Sequence, residues 1–293
     1  MRRLDDRLGL AVRRVGLSGR SLVTYARDHV TVRTPSRPDL RDGNTLDLEA
    51  RPEPEDLAGW LERFDGTVGV LGARHRQLRW EEPSAPDASS TGPEPDPALL
   101  QAATRLGLEL SAVTVLLLDE LHPPEREPSA DLVPVEAPSA VPGGAVDRRW
   151  HAATVLYRYA VGDSPDAWRE YDADMTEWSA DVQRELAAAG RCQVWVAMRH
   201  GGPVARLTLV HDRQGLAVVE DVVTHPVHRG IGIASRLTYR AIVRHLEVAP
   251  GSRVGLATEP ASAAERLSRR LGFRPHATVW TALRPDPRAR QRA

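Results

Sequence analysis

In one stretch of the chain, the hydrophobic pattern most clearly predicts a strand followed by a helix. Residues 218–223 form a β-branched, largely apolar run, which is typical of a buried strand. Pro226 ends this run because proline cannot donate a hydrogen bond to a sheet ladder. Gly230 and Gly232 follow, and helical periodicity then predicts an amphipathic helix over residues 233–246. The pattern therefore predicts a strand, a glycine-bearing turn and a helix in direct succession.

A turn of this kind favours the binding of an anion. The first N–H groups of a helix have no intrahelical partner, and the helix dipole is positive at that end. Glycine allows a ligand to approach the backbone where a Cβ atom would block it. The sequence therefore predicts a phosphate or pyrophosphate site. A dinucleotide-binding turn fits less well, because it needs three glycines and an acid about 20 residues later, whereas Glu259 lies further away.

Patterns in the first half of the chain predict a mixed α/β domain over residues 1–121. Strands are predicted over 21–33 (as a hairpin), 45–50, 75–82 and 108–121, and helices over 54–64 and 97–106. Residues 122–148 are rich in proline and show neither helical nor strand periodicity. We interpret them as a semi-extended linker and as the domain boundary.

The second half predicts a further α/β domain over residues 149–284, followed by a disordered basic tail, 285–293. Besides the stretch described above, strands are predicted over 152–160, 194–199, 203–210, 253–258 and 274–283, and helices over 165–188 and 261–270. The turn His200-Gly201-Gly202 joins two of these strands as a hairpin. The predicted order is β-α-β-β-β-α-β-α-β.

These features resemble the GNAT superfamily of N-acetyltransferases. The signature Q/R-x-x-G-x-G/A is matched by Arg229-Gly230-Ile231-Gly232-Ile233-Ala234, and the helix stop Leu271-Gly272-Phe273 is a familiar GNAT feature. The resemblance implies an α/β GNAT fold, a mixed central sheet flanked by helices, over about 149–284. A short repeat, in which Arg105-Leu106-Gly107 resembles Arg270-Leu271-Gly272, is either coincidence or the trace of a second, degenerate GNAT-like domain without a CoA signature. We expect the second of these, and hence two tandem domains, the first of which packs on the second and shapes the acceptor pocket.

The resemblance also implies acetyl-CoA as co-substrate and assigns the residues that bind it. The pantetheine arm is expected along the strand end at Val222, Val223 and Thr224, where the backbone N–H of Val222 or Val223 polarises the acetyl carbonyl. The pyrophosphate is expected on the turn and the helix start, at Arg229, Gly230, Ile231, Gly232, Ile233, Ala234 and Ser235.

Three residues are candidates for catalysis. Glu220 is the general-base candidate, because some GNAT enzymes place a glutamate there; the alternative is a structural pair with an arginine. Strand alternation predicts that its neighbour Asp221 points to the opposite face. His225 is expected to line the acceptor site or to cap the turn. His225 and His228 have no third ligand nearby in sequence, so we expect no metal ion.

Ser268 is the third candidate, and here the chain departs from the family. The pattern N-x-x-A-x-x-L-Y-x-x-L-G-F places a tyrosine where this chain has Ser268, and an asparagine where it has Ala261. In the family the tyrosine protonates the leaving thiolate, and serine is a far weaker acid. Three alternatives remain for the thiolate: it takes a proton from Ser268 through water, it takes a proton from Tyr239, or it leaves without a proton donor. A catalytically weak acyl-CoA-binding protein is an alternative to an active enzyme.

Composition narrows the class of protein further. The chain has 293 residues, a net charge of −1 and no lysine, so that all 39 basic residues are arginine. The balanced charge disfavours a dedicated nucleic-acid binder, and the lack of lysine excludes Schiff-base chemistry. Cys192 is the only cysteine, which favours an intracellular, cytoplasmic setting. No signal peptide and no membrane-spanning run is predicted.

The acceptor is predicted from one acidic segment. Between Asp163 and Glu185 the chain has eight acids against two arginines, interleaved with Trp168, Tyr171 and Trp178. Most of these charges form a solvated helix face, but some could bind a cationic small-molecule amine by charge and cation–π contact. A peptide or protein N-terminus remains an alternative acceptor. We expect no nucleic-acid or membrane partner, and a monomer or homodimer.

Overall fold

The computed structural model describes residues 7–17, 19–84, 93–127, 129–135, 145–161, 173–212 and 214–287. In chain order the helices and strands are α1 (Leu8–Val15), β1 (Leu22–Tyr25), β2 (His29–Arg33), β3 (Thr45–Leu48), α2 (Leu57–Thr67), β4 (Arg76–Pro83), α3 (Pro97–Arg105), β5 (Glu109–Leu118), β6 (Asp131–Val135), α4 (Ala145–Val161), α5 (Ala173–Ala188), β7 (Cys192–Arg199), β8 (Gly202–His211), β9 (Leu216–Thr224), α6 (Ile233–Val248), β10 (Arg253–Thr258), α7 (Ala263–Arg270) and β11 (Phe273–Arg284). Among the helices described, none is both long enough and apolar enough to cross a bilayer.

The chain folds into two compact units that do not follow the predicted linear boundaries. Unit 1 consists of residues 1–116, 257–266 and 274–293, and unit 2 consists of residues 117–256 and 267–273. The C-terminal strand β11 therefore belongs almost entirely to unit 1. It does so because it pairs antiparallel with β4, with Trp280 opposite Trp80.

Unit 1 is built on a mixed sheet with the strand order β1-β2-β3-β4-β11-β5. β2 pairs antiparallel with β1 and β3, whereas β3 pairs parallel with β4. The strands and helices predicted for residues 21–106 are all present, with ends shifted by a few residues. Their buried faces form one apolar core, which includes Leu46, Phe64 and the two stacked tryptophans, Trp80 and Trp280.

A buried charge network in unit 1 joins α1 to β3 and β4. Asp47 is fully buried and accepts hydrogen bonds from Arg79 Nε at 2.8 Å and from Arg14 Nη1 at 2.7 Å. Arg79 is also fully buried. Removing one partner of such a network leaves an uncompensated charge in the interior, which costs much more than the loss of a surface pair.

Asp47→Ala is therefore expected to lower the free energy of unfolding by about 3–5 kcal/mol. Urea unfolding followed by tryptophan fluorescence measures this change. Asp39→Ala is the matched control, because Asp39 is mostly exposed and bonds Arg37 at the surface, so its removal is expected to cost less than about 1 kcal/mol. Equal stability losses in the two variants would contradict a structural role for the buried network.

Unit 2 is built on a sheet with the strand order β10-β9-β8-β7-β6. β6, β7, β8 and β9 are antiparallel neighbours, and β9 and β10 are parallel. The hairpin turn at Gly201 is present as predicted. Helices cover both faces of β8. Arg206 of β8 bonds the carbonyl of Ala153 in α4, and His211, on the opposite face of the same strand, contacts His245 of α6.

Two predictions at the start of this unit are wrong. The strand predicted over 152–160 is part of helix α4, in which Trp150, Ala153 and Leu156 are buried at helical spacing. The first strand of the unit is instead β6, which lies inside the segment 122–148 that we interpreted as a linker. Pro134 made this strand hard to recognise, but proline is tolerated in β6 because it ends the sheet order.

Candidate functional site

The site is built around the point where β9 and β10 separate. Their parallel register runs only from Leu216 opposite Arg253 to Val218 opposite Gly255, whereas β9 continues to Thr224. The second half of β9 therefore extends past the paired region, and Val222 is 38% exposed. Backbone groups along a strand edge of this kind can bind an extended ligand. This is the segment to which the resemblance assigns the pantetheine arm, at Val222, Val223 and Thr224.

A β-bulge interrupts β9 just before its exposed end. Arg206 of β8 lies opposite Val223, but Thr208 lies opposite Glu220, so three steps along β9 match two steps along β8. Asp221, within the bulge, has a φ of 53°, in the left-handed region. A bulge turns the following residues and re-aims their backbone groups, and bulges are common beside active sites. The N–H groups of Val222 and Val223 follow this bulge directly.

The bulge overturns the prediction that Glu220 and Asp221 point to opposite faces. Glu220 shares a face with its cross-strand partner Thr208. Asp221 reaches the same side, because its Oδ2 accepts hydrogen bonds from Thr208 Oγ1 at 3.4 Å and from Gln183 Nε2 at 2.7 Å. The extra residue of the bulge shifts the alternation by one position, and both carboxylates lie on one face.

Asp221 belongs to a polar cluster centred on a buried arginine. Arg206 is only 3% exposed and donates to Gln183 Oε1 at 2.8 Å and to Thr208 Oγ1 at 2.9 Å. Its Nη2 lies 3.6 Å from Asp221 Oδ2, and its guanidinium lies 5.0 Å from the centre of the Tyr157 ring. Asp221 thus compensates a buried positive charge and fixes the bulge, which is a structural role. This cluster was not predicted from the sequence, in which its only signal is an arginine inside the apolar run of β8.

Glu220, the general-base candidate, lies on the same face of β9 as this cluster. It is half-buried, and its charge acts on Cys192, the buried cysteine of β7. Burial raises the pKa of the Cys192 thiol, and the negative charge of Glu220 raises it further. Cys192 therefore stays a neutral thiol at physiological pH and is not a nucleophile.

The turn after β9 presents the start of helix α6. Gly230 and Gly232 have φ angles of 79° and 93°, in the left-handed region that favours glycine. Gly232 is the N-cap residue of α6, and no side chain caps the helix. The N–H groups of Ile233, Ala234 and Ser235 consequently lack intrahelical acceptors. With the positive end of the helix dipole, they are the groups that the sequence analysis expects to bind an anion.

Basic side chains surround this turn. Arg229 Nε donates to the carbonyl of Thr224 at 3.0 Å and thereby ties the turn to the end of β9. The rings of His225 and His228 lie 5.7 Å apart. Desolvation, and then the charge of Arg199, lower the pKa of His228, so its imidazole is neutral at pH 7. In the part of the chain that the structure describes, no group of three or more potential ligands could hold a metal ion.

Ser268, the third catalytic candidate, is buried in α7, with 4% exposure. Ala261, the other departure from the family pattern, precedes this helix with a φ of 58°. Tyr239, the alternative acid, is half-buried on α6, where Arg236 lies 5.8 Å from its ring centre. The structure therefore gives Ser268 little access to solvent and little room for a larger side chain.

Ser268→Tyr tests how this position is used. We expect the phenol to clash, so that the KM of the amine rises and the melting temperature falls, because overpacking a buried site costs about 1–3 kcal/mol. Ser268→Ala, the control, is expected to change kcat little. Steady-state kinetics and thermal unfolding measure both effects. A Ser268→Tyr variant with higher kcat and an unchanged KM would show that the pocket still accommodates the family tyrosine.

The acidic segment predicted to bind the acceptor is only partly described. Asp163, Asp166, Trp168, Glu170, Tyr171 and Asp172 lie outside the described residues. On α5, Glu177, Asp181 and Glu185 are exposed, and Asp181 pairs with Arg184 at 2.8 Å. Trp178 is half-buried on the same helix. These described acids form the solvated helix face that the sequence suggested.

Unit 1 has a similar strand–loop–helix arrangement without the anion site. β3, parallel to β4, is followed by a loop and by α2, as β9 is followed by a turn and by α6. The loop of unit 1 has no glycine and carries the acids Glu49, Glu53, Glu55 and Asp56. Negative charges at a helix start repel a diphosphate. The charge of this loop is thus consistent with a CoA site in unit 2 only.

Comparisons with known proteins agree with this geometry. The model of the Acetyltransferase (GNAT) family matches residues 154–273. No curated protein matches the chain in sequence. Among solved structures, a GCN5-related N-acetyltransferase from Kribbella flavida is 18% identical, with a TM-score of 0.60 over 96% of this chain and 95% of that chain.

Two further structures are similar over nearly the whole chain. A conserved protein of unknown function from Staphylococcus epidermidis ATCC 12228 is 13% identical, with a TM-score of 0.61 over 90% of this chain and 93% of that chain. A tandem GNAT protein from the clavulanic acid biosynthesis pathway is 14% identical, with a TM-score of 0.50 over 96% of each chain. At this identity the structures are similar to ours in fold alone. Residues 154–273 thus match the GNAT acetyltransferase family, and the fold of the chain is similar to that of a tandem GNAT protein.

Proposed function

We propose that the protein is an acetyl-CoA-dependent N-acetyltransferase that moves an acetyl group directly to a primary amine of a small, cationic molecule. The observation that carries this proposal is the uncapped start of α6 at Gly232, which follows the end of β9 where pairing with β10 has stopped. The start of α6 offers N–H groups to a diphosphate, and the end of β9 offers a strand edge to the pantetheine arm.

The residues of unit 2 support a direct transfer. The amine nitrogen attacks the acetyl carbonyl carbon, the C–N bond forms, and the C–S bond breaks to release the thiolate of CoA. The N–H of Val222 or Val223 stabilises the developing oxyanion, and Glu220 accepts the proton of the amine directly or through water. His225 lines the acceptor side of the turn. The thiolate takes its proton from water or from Tyr239, since Ser268 is a weak acid.

A cationic acceptor is supported by charge. Exposed carboxylates on α5 and the half-buried ring of Trp178 provide the groups that attract an ammonium ion. We further propose a cytoplasmic monomer or homodimer, because the one cysteine is a buried, free thiol. Cell fractionation and light scattering of the purified protein test these two points.

A catalytically weak acyl-CoA-binding protein is the second candidate. It is favoured by the loss of the family tyrosine and asparagine at Ser268 and Ala261. The enzyme proposal predicts release of the CoA thiol from acetyl-CoA when a panel of small amines and peptides is added. A thiol reagent detects this release with low background, because Cys192 is buried. Binding of acetyl-CoA without thiol release from any amine would favour the second candidate.

A further inference from the structure

A segment of unit 2 crosses from the end of α7 to the CoA turn. We call residues 119–127 the strap. At its first end, the N–H of Asp119 donates to the carbonyl of Gly272 at 3.2 Å, and that of His122 donates to Leu271 at 3.0 Å. Gly272 has a φ of 98°, and a Cβ atom there would collide with the carbonyl oxygen of Glu120. This close backbone packing fixes the first end of the strap.

The other end of the strap lies on the turn itself. Arg126 Nη1 donates to the carbonyl of Gly230 at 2.9 Å. Glu127 Oε1 pairs with Arg236 Nη2 of α6 at 2.8 Å. A Cβ atom on Gly232 would lie 3.1 Å from Cβ of Arg126. The strap is therefore held at both ends and places Arg126 against the glycines of the signature.

The charge of Arg126 complements the backbone donors of the turn. Within the described part of the chain, its guanidinium makes one hydrogen bond, to Gly230, whereas a guanidinium has five N–H donors. Arg229, the residue that the resemblance assigns to the phosphates, donates through Nε to the carbonyl of Thr224. A diphosphate bound at the start of α6 gains most from a nearby arginine, which can contact two phosphate oxygens at once.

We infer that Arg126 is a ligand of the CoA diphosphate, supplied by the strap to the backbone site at the start of α6. This inference rests on the proposed use of acetyl-CoA. Hydrogen bonds to charged groups contribute enough that losing one such contact is expected to weaken CoA binding about 10- to 100-fold. The glutamates beside Arg126 do not remove this effect, because Glu127 is paired with Arg236 and Glu125 is exposed to solvent.

Calorimetric titration of the full chain with CoA and with pantetheine, which lacks the diphosphate, tests the inference. Arg126→Gln is expected to weaken CoA binding 10- to 100-fold and to leave pantetheine binding unchanged. Arg244→Gln is the matched control, because Arg244 is an exposed arginine near the far end of α6 and pairs with Glu247. Thermal unfolding confirms that the variants are folded.

The outcomes separate this inference from the proposed function. Wild-type protein that binds no CoA would refute the proposed function and this inference with it. Wild-type binding that Arg126→Gln leaves unchanged would refute the inference alone. Tighter binding by Arg126→Gln would also refute it, because the strap would then obstruct the site. A loss of affinity for pantetheine equal to that for CoA would show a structural effect instead.

Discussion

Replacing Gly232 with glutamate is expected to abolish CoA binding. Gly232 has a φ of 93°, which strains any residue with a Cβ atom, and the new side chain would start 3.1 Å from Cβ of Arg126. Its carboxylate would lie at the start of α6, where it would bind the free N–H groups in place of the diphosphate and repel the ligand's negative charge. The strain lowers stability modestly, whereas the charge removes the anion site itself.

Gly215→Glu separates these two effects. Gly215, in the turn before β9, has the same φ of 93°, and a Cβ atom there would meet nothing within 4 Å. Both variants therefore carry similar backbone strain, but only Gly232→Glu changes the anion site. Calorimetric titration with CoA is expected to give wild-type affinity for Gly215→Glu and no binding for Gly232→Glu. Retention of CoA binding by Gly232→Glu would place the diphosphate elsewhere.

Replacing Glu220 with glutamine is expected to lower kcat by about 10²–10⁴-fold, the usual contribution of a general base. Glutamine keeps the size of the side chain but cannot accept the amine proton. CoA affinity is expected to change little, because none of the expected diphosphate or pantetheine contacts is assigned to Glu220. The pH–rate profile tests the loss of the general base independently. Its acidic limb is expected to disappear, because this limb reports the protonation of the Glu220 carboxylate.

Asp221→Asn is the matched comparison for Glu220, since both carboxylates lie on one face of β9. Asparagine leaves the buried charge of Arg206 without its counter-ion, so the melting temperature is expected to fall. The acidic limb of the pH–rate profile is expected to remain, because Glu220 is still present. If Asp221→Asn lost the acidic limb and Glu220→Gln retained it, Asp221 would be the general base and Glu220 would not.

Local features of the sequence were sufficient to predict the glycine turn and the start of α6. Helix α6 begins at Ile233, close to its predicted start, because Gly232 and the apolar periodicity after it act within a few positions. The strand 253–258 and the hairpin at Gly201 were predicted for the same reason. These elements depend on backbone preferences that neighbouring residues decide.

Other elements could not be predicted because distant residues decide them. Helix α4 was taken for a strand, since its apolar residues fit both periods and only packing against the sheet selects the helical one. Strand β6 contains Pro134, and only its place at the end of the sheet order makes that proline acceptable. Apolar runs of this length carry too little local information.

The sequence by itself determined the family resemblance, the anion-binding turn and the candidate base Glu220, because each depends on residues that are close together in the chain. Only the tertiary structure decided the rest. The bulge at Asp221 follows from the register of β9 with β8. The place of β11 follows from its pairing with the distant β4. The position of Arg126 follows from a strap that is fixed at both ends. Pairing between distant segments depends on the whole fold, so no local pattern in the sequence can reveal it.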